Sequence, residues 1–243
     1  MGGIRVARVS MVGLFLALTA TPALSAPITT PPGLNVGDQY RLAFVAISSN
    51  SAQSGNIADY NTVATNVANG QAELAALGTT WTAIASTSAV NARDNTGTNP
   101  NVSTGVPIYR LDGLKIADNN ADLWDGTIQN ALSTDQGGTV VAVLPWTGTK
   151  SDGTKSTSGT AQPLGLDPAA AGSTSQAGVQ WIFAGGYNNF TLSPIYAISD
   201  ILTVAPPPSV SSSPAPAVSS WGVVGLAILL LTGGAAMLRR RPA

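Results

Sequence analysis

Tyr40 to Ile47 reads YRLAFVAI, an aliphatic and aromatic run entered from the turn-forming Val36-Gly37-Asp38, and it predicts a buried strand. The period then changes. Ile57, Tyr60, Val63, Ala64, Val67, Ala68, Glu73, Leu74 and Leu77 recur at mainly helical spacing, with Ser54 or Asn56 placed to cap the start and Gly78 the end. Asn69-Gly70 interrupts this stretch, so two helices or one kinked helix are expected. Trp81 to Ser86 alternates as a short strand, a polar loop runs from Asn91 to Gly105, and Ile108–Leu111 and Leu114–Ala117 flank Asp112-Gly113 as a hairpin. Thr139 to Leu144 is the most β-branched run and predicts a central strand. Thr147 to Gly178 is rich in small and hydroxyl residues and reads as a long irregular excursion, after which Trp181–Ala184 and Tyr196–Val204 are the last expected strands. No repeat at solenoid or propeller spacing is present. This order predicts an α+β domain, with helices on one side of a mostly antiparallel sheet.

The two ends follow other rules. Arg5 and Arg8, the apolar run Met11–Ala20 and the small residues Ala23, Ser25 and Ala26 have the layout of a secretory signal peptide, residues 1–25, cut after Ser25. Residues 221–238 are uncharged and rise about 27 Å as a helix, enough for a bilayer core. The basic tail 239–243 follows. Its Arg239, Arg240 and Arg241 would remain in the cytoplasm and leave residues 26–204 outside. Residues 205–220, APPPSVSSSPAPAVSS, form a Pro/Ser/Ala stalk between domain and helix. The membrane is therefore the first expected partner.

Composition narrows the chemistry. The 243 residues include no Cys and no His, so thiol catalysis, cysteine zinc sites and any Ser/His/Asp triad are impossible. Lys and Arg are scattered or terminal, leaving no basic face for nucleic acid. With the five terminal arginines set aside, six bases oppose twelve acids, a net charge of −6 (6 − 12) for the exported domain.

Two resemblances extend these readings. A proline motif, one apolar helix and a terminal arginine cluster resemble the sorting tails read by exosortase-type systems of Gram-negative bacteria. Residues 215–222, APAVSSWG, are similar in register to the Ile-Pro-Thr-Leu-Ser-Glu-Trp-Gly variant through Pro216, Ser219, Trp221 and Gly222; Ala215, Ala217 and Ser220 depart from it. The resemblance implies a sorting protease or transpeptidase as partner. Within the domain, PIYRLDG (107–113), IADNNADLWDG (116–126), WTGTKSDGT (146–154) and the late Trp181 together resemble the endostatin-like branch of C-type-lectin-like domains of bacterial surface proteins. That resemblance implies pairing of the first and last strands. The paired cysteines and the calcium-binding triplets of sugar-binding members are absent.

Asp118, Asn120, Asp122 and Asp125 alternate like the oxygen ligands of a calcium loop, but Leu123 stands where such a loop needs Gly and Gln129 where it needs Glu, so Asx-turns are expected and no metal or cofactor. Arg110 and Asp112 suit a local ion pair or the edge of a groove. Trp81, Trp124, Trp146 and Trp181 could stack on sugar rings, although at least two are expected in the core. Asn101-Val102-Ser103 and Asn189-Phe190-Thr191 match the glycosylation sequon, a match that the resemblance to bacterial sorting tails implies is coincidental. Eleven of the twelve acids are Asp, and no pair is singled out for hydrolysis. The expected function is a non-catalytic surface module for adhesion or for binding matrix polysaccharide. The alternatives are a structural envelope component and a carboxylate-dependent hydrolase.

Overall fold

The computed structural model describes residues 26–207. The expected signal peptide, most of the stalk, the expected spanning helix and the sorting residues Pro216, Ser219, Trp221, Gly222, Arg239, Arg240 and Arg241 lie outside the described residues. Contacts divide the chain between Ala205 and Pro206. Among the described residues no helix is long and apolar enough to cross a membrane.

In chain order the elements are β1 (Gln39–Asn50), α1 (Ile57–Asn69), α2 (Ala72–Ala75), β2 (Trp81–Ala83), α3 (Ala92–Asn95), β3 (Ile108–Arg110), β4 (Lys115–Ala117), α4 (Asn120–Leu123), β5 (Ala169–Ala171), β6 (Gly185–Tyr187), β7 (Ser193–Ser199) and β8 (Leu202–Thr203). A 3-10 turn spans Val179–Trp181. The fold is α+β. Its main sheet runs β2-β7-β1-β3-β4 with β8 beside the start of β1, and only the β1–β3 pairing is parallel.

Alternation along β1 explains why its residues are apolar in both parities. Tyr40, Leu42, Phe44 and Ala46 enter one core, while Ala43 and Val45 enter another, because successive strand side chains point to opposite faces. β7 repeats the pattern, with Ile195 and Ala197 in the first core and Tyr196 and Ile198 in the second. The sheet is thus a buried middle layer. On the first face α1 presents Tyr60, Ala64 and Ala68 at four-residue spacing, and Trp81 meets Phe44 edge-on at 5.1 Å. On the second face Trp124, Trp181 and Tyr196 stack in sequence at 5.8 and 5.9 Å, each contact adding about 0.5–1.5 kcal/mol beyond area burial.

The helical segment divides as its sequence predicts. Asn56 caps α1 by accepting the Ala58 N–H at 3.2 Å, α1 stops at Asn69, and Gly78 turns the chain away at a φ of 58°. β2 lies at the sheet edge, where an unpaired strand invites aggregation. Here helix side chains seal it. Asn61 accepts the Ala83 N–H at 2.9 Å, Asn95 donates to the Ala83 carbonyl at 2.8 Å, and Thr65 donates to the Trp81 carbonyl at 3.0 Å.

Three expectations need correction. Thr139–Leu144 is not a central strand but a peripheral segment with one bridge, Thr134 to Val140, and Val140 is 66% exposed. β-branched residues fit any half-buried pleated surface, whereas the centre of this sheet requires apolar residues in both parities. Trp181–Ala184 is not a strand either. Trp181 closes the 3-10 turn, and β6 begins at Gly185 to pair with β5 inside a region expected to be irregular throughout. Helices are also not confined to one side, since Ala92 of α3 and Leu123 of α4 enter the second core.

Candidate ligand-binding surface

The acidic loop is used up locally. Asp122 accepts the Asp118 N–H at 2.7 Å and a Gln129 amide hydrogen at 2.8 Å, while Lys115 pairs with Asp118 at 2.8 Å. Asp125 accepts the Thr127 N–H at 2.9 Å in its own Asx-turn. Asn120 is buried and donates to the Ser103 carbonyl at 2.9 Å, away from the acids. Among the described residues no three acids are grouped to hold a metal ion.

Arg110 and Asp112 form the ion pair, and it is a strut. The Arg110 guanidinium grips the Asp112 carboxylate through two nitrogens and donates to the Ala131 carbonyl and, at 2.9 Å, to Ser133. Against the pull of burial, these Arg110 bonds and the Leu114 N–H hold the Asp112 carboxyl below the usual range. All four domain tryptophans are buried, so none presents an open ring face at the surface. Of the sequon asparagines, Asn101 is exposed and Asn189 buried. Glu73 is exposed and shares a cavity of about 370 Å³ with Asp135, but Asp135 accepts the Gly137 and Thr139 N–H groups at 2.9 Å and serves a turn.

The long excursion forms a different surface. Its base is fixed by hydroxyls: Thr147 donates to the Ile182 carbonyl at 2.7 Å, and the Ser86 and Thr149 hydroxyls meet at 2.9 Å. From this base a hairpin rises, closed by a Thr149–Lys155 bridge and the Lys150 N–H bond to Thr154 at 2.8 Å. Asp152 accepts the Thr154 N–H at 3.0 Å, and Gly153 supplies the turn at a φ of 76°. A Cβ on Gly153 would lie 2.6 Å from the Trp124 ring, so only glycine fits this approach.

Beside the hairpin lies an open groove of about 340 Å³. Lys150, Ser151, Ser156, Thr157 and Ser158 line it with one ammonium and four hydroxyls, of which the buried Ser156 hydroxyl donates to the Ala161 carbonyl, and Val179 and Phe183 make its apolar wall. Among the described residues Lys150 has no ion-pair partner. The surrounding charge is unusual for this domain. Arg93 and Lys155 pack on the same hairpin through the Arg93 N–H bond to Gly153 and the Lys155 N–H bond to Asn91. Three of the six bases are thus here with two acids, Asp94 and Asp152, a net of +1 (3 − 2) against −7 (3 − 10) for the remainder. A polyhydroxylated ring fits this lining, because hydroxyls both donate and accept while an aromatic wall takes the apolar ring face.

Compared with known proteins, the chain matches no family model, and no curated protein is significantly similar to it. The groove residues escaped the sequence reading. The Asp152-Gly153 turn was legible, but Phe183 reads as part of a strand, and nothing local brings Val179 to Lys150 across 28 intervening residues.

Proposed function

We propose that this chain is an exported surface protein, tethered by its C-terminal helix or processed by a sorting enzyme, whose domain binds extracellular polysaccharide without catalysis. The observation that carries the reading is the groove of Lys150, Ser151, Thr157, Ser158, Val179 and Phe183, which joins hydroxyls, an ammonium and an aromatic wall in an otherwise acidic domain. The endostatin-like, C-type-lectin-like reading of the fold is supported by the pairing of β1 with β7 and β8, which returns the chain to where it entered the sheet.

The test is retention of the full-length protein on immobilised polysaccharides, with Phe183→Ala and Lys150→Gln as groove variants. Retention by the wild type that falls at least 10-fold in each variant is expected. Failure of the wild type to bind any polysaccharide would overturn the reading in favour of a structural envelope component. Protease shaving of intact cells tests location separately, since an outward-facing domain is removed without lysis.

A further inference from the structure

A second surface lies at the opposite end of the sheet from the point where the chain leaves it. Val204 exchanges hydrogen bonds with Gly37 and Asp38, at the start of β1. Ser193 pairs with Asn50, at its end, about 36 Å away at strand rise. Beside Ser193 four large apolar side chains face solvent: Phe190 is 66% exposed, Leu192 64%, Tyr187 40% and Leu144 39%. Isolated exposed residues of this kind are ordinary, but a cluster marks an interaction site.

The cluster has both parts of a self-complementary contact. Leu144, Tyr187, Thr191 and Ser193 rim a cavity of about 100 Å³ that is floored by Trp146 and Ala171 and is almost wholly apolar, with room for the end of one hydrophobic side chain. Phe190 and Leu192 flank Thr191 of that rim and project from it. An isologous contact requires knob and hole on one patch, which is what two-fold pairing of identical chains uses. Charge favours the same occupant. Residues 136–149 and 168–199, which build most of this end, contain no charged side chain, and the one acid bound to them, Asp167, accepts the Asn189 N–H at 2.8 Å, whereas the domain as a whole carries −6. Two like-charged copies therefore approach with least repulsion through this end.

We infer that a second copy of this chain docks here, Phe190 of each copy entering the cavity of the other. The inference rests on the proposed surface display for its meaning: such pairs join displayed copies to one another. Four side chains make a small interface, so a single pair is weak and many copies on one surface supply the avidity.

The chain contains no cysteine, so a single introduced thiol reports on one position. Full-length Leu192→Cys, treated with a short bismaleimide, should give at least 10-fold more covalent dimer than Val102→Cys, whose side chain is 81% exposed away from the cluster. Adding Phe190→Asp to Leu192→Cys should abolish the dimer while the melting temperature is unchanged. Equal cross-linking at both positions, or dimer unaffected by Phe190→Asp, overturns the inference. Polysaccharide retention by Phe190→Asp separates the two proposals: retention at the wild-type level with loss of dimer leaves each standing on its own surface.

Discussion

Leu42, Phe44 and Ile198 in the sheet are inaccessible to solvent, and so are Thr147, Thr149 and Ser156 in the excursion. The means differ. In the sheet, backbone groups satisfy one another along the strands, so side chains are free to be apolar and to interlock on both faces. In the excursion only β5 provides a regular element between Trp146 and Gly178, so hydroxyls must meet the buried carbonyls, and glycines permit the close approaches. A layer held by packing should fail through cavities. A loop held by point contacts should fail through lost donors or added atoms.

Mutations can test that contrast, and the largest effect belongs to the core packed on the sheet. Trp181→Ala removes a fully buried ring that touches both Trp124 and Tyr196, and urea denaturation should show a loss of about 3–5 kcal/mol. Next is Gly148→Ala in the excursion. Gly148 has a φ of 61°, and a Cβ there would stand 2.3 Å from the Ser86 carbonyl oxygen, so about 2–4 kcal/mol should be lost although nothing is removed. If Gly148→Ala proves neutral, the excursion is not held as described. Thr147→Val keeps shape but leaves the Ile182 carbonyl unmet, which should cost about 1–3 kcal/mol and lower the melting temperature by several degrees. Asn61→Ala uncovers the β2 edge at Ala83 and should cost about 1 kcal/mol, with increased aggregation on heating as the distinguishing sign.

Titration sharpens the contrast from its two sides. Tyr196 and Tyr60 pack on opposite faces of the sheet. Burial pushes the Tyr196 hydroxyl far up and raises Tyr60 to about 12. Unfolded phenols ionise near pH 10 while these stay protonated, so stability present below about pH 10 should decline as pH rises toward about 12. The loops respond to acid. Asn91 and Asn99 side chains hold Asp94 low, and Thr154 holds Asp152 low against the pull of burial. Such carboxylates stabilise the fold above about pH 4 and lose that contribution as pH falls through their lowered values. The acid effect should be the smaller, since Asp94 is exposed to screening. Circular dichroism against pH would follow both arms.

Much of the fold was legible because local pattern carried it. Asn56 as a cap, the break at Asn69-Gly70 and the Asp112-Gly113 hairpin each depend on residues within a few positions of one another. The β5–β6 ribbon was not, since Ala169–Ala171 and Gly185–Tyr187 have neither period nor β-branching and pair only because small residues let the chains approach closely. The candidate groove was hidden for the same reason, as its hydroxyls look like ordinary loop residues until Phe183 is placed beside them.

By itself the sequence determined that Tyr40–Ile47 is a buried strand and that a helix follows from Ile57, that the sheet is mostly antiparallel, and that thiol and imidazole side chains are absent, because short-range periodicity and residue type settle those questions. Only the tertiary structure decided that β1 rather than Thr139–Leu144 lies at the centre, that all four domain tryptophans are buried, and that Lys150 and Phe183 share one groove. Those outcomes depend on which distant segments cover each face of the sheet, and that competition for burial is a property of the whole packed chain.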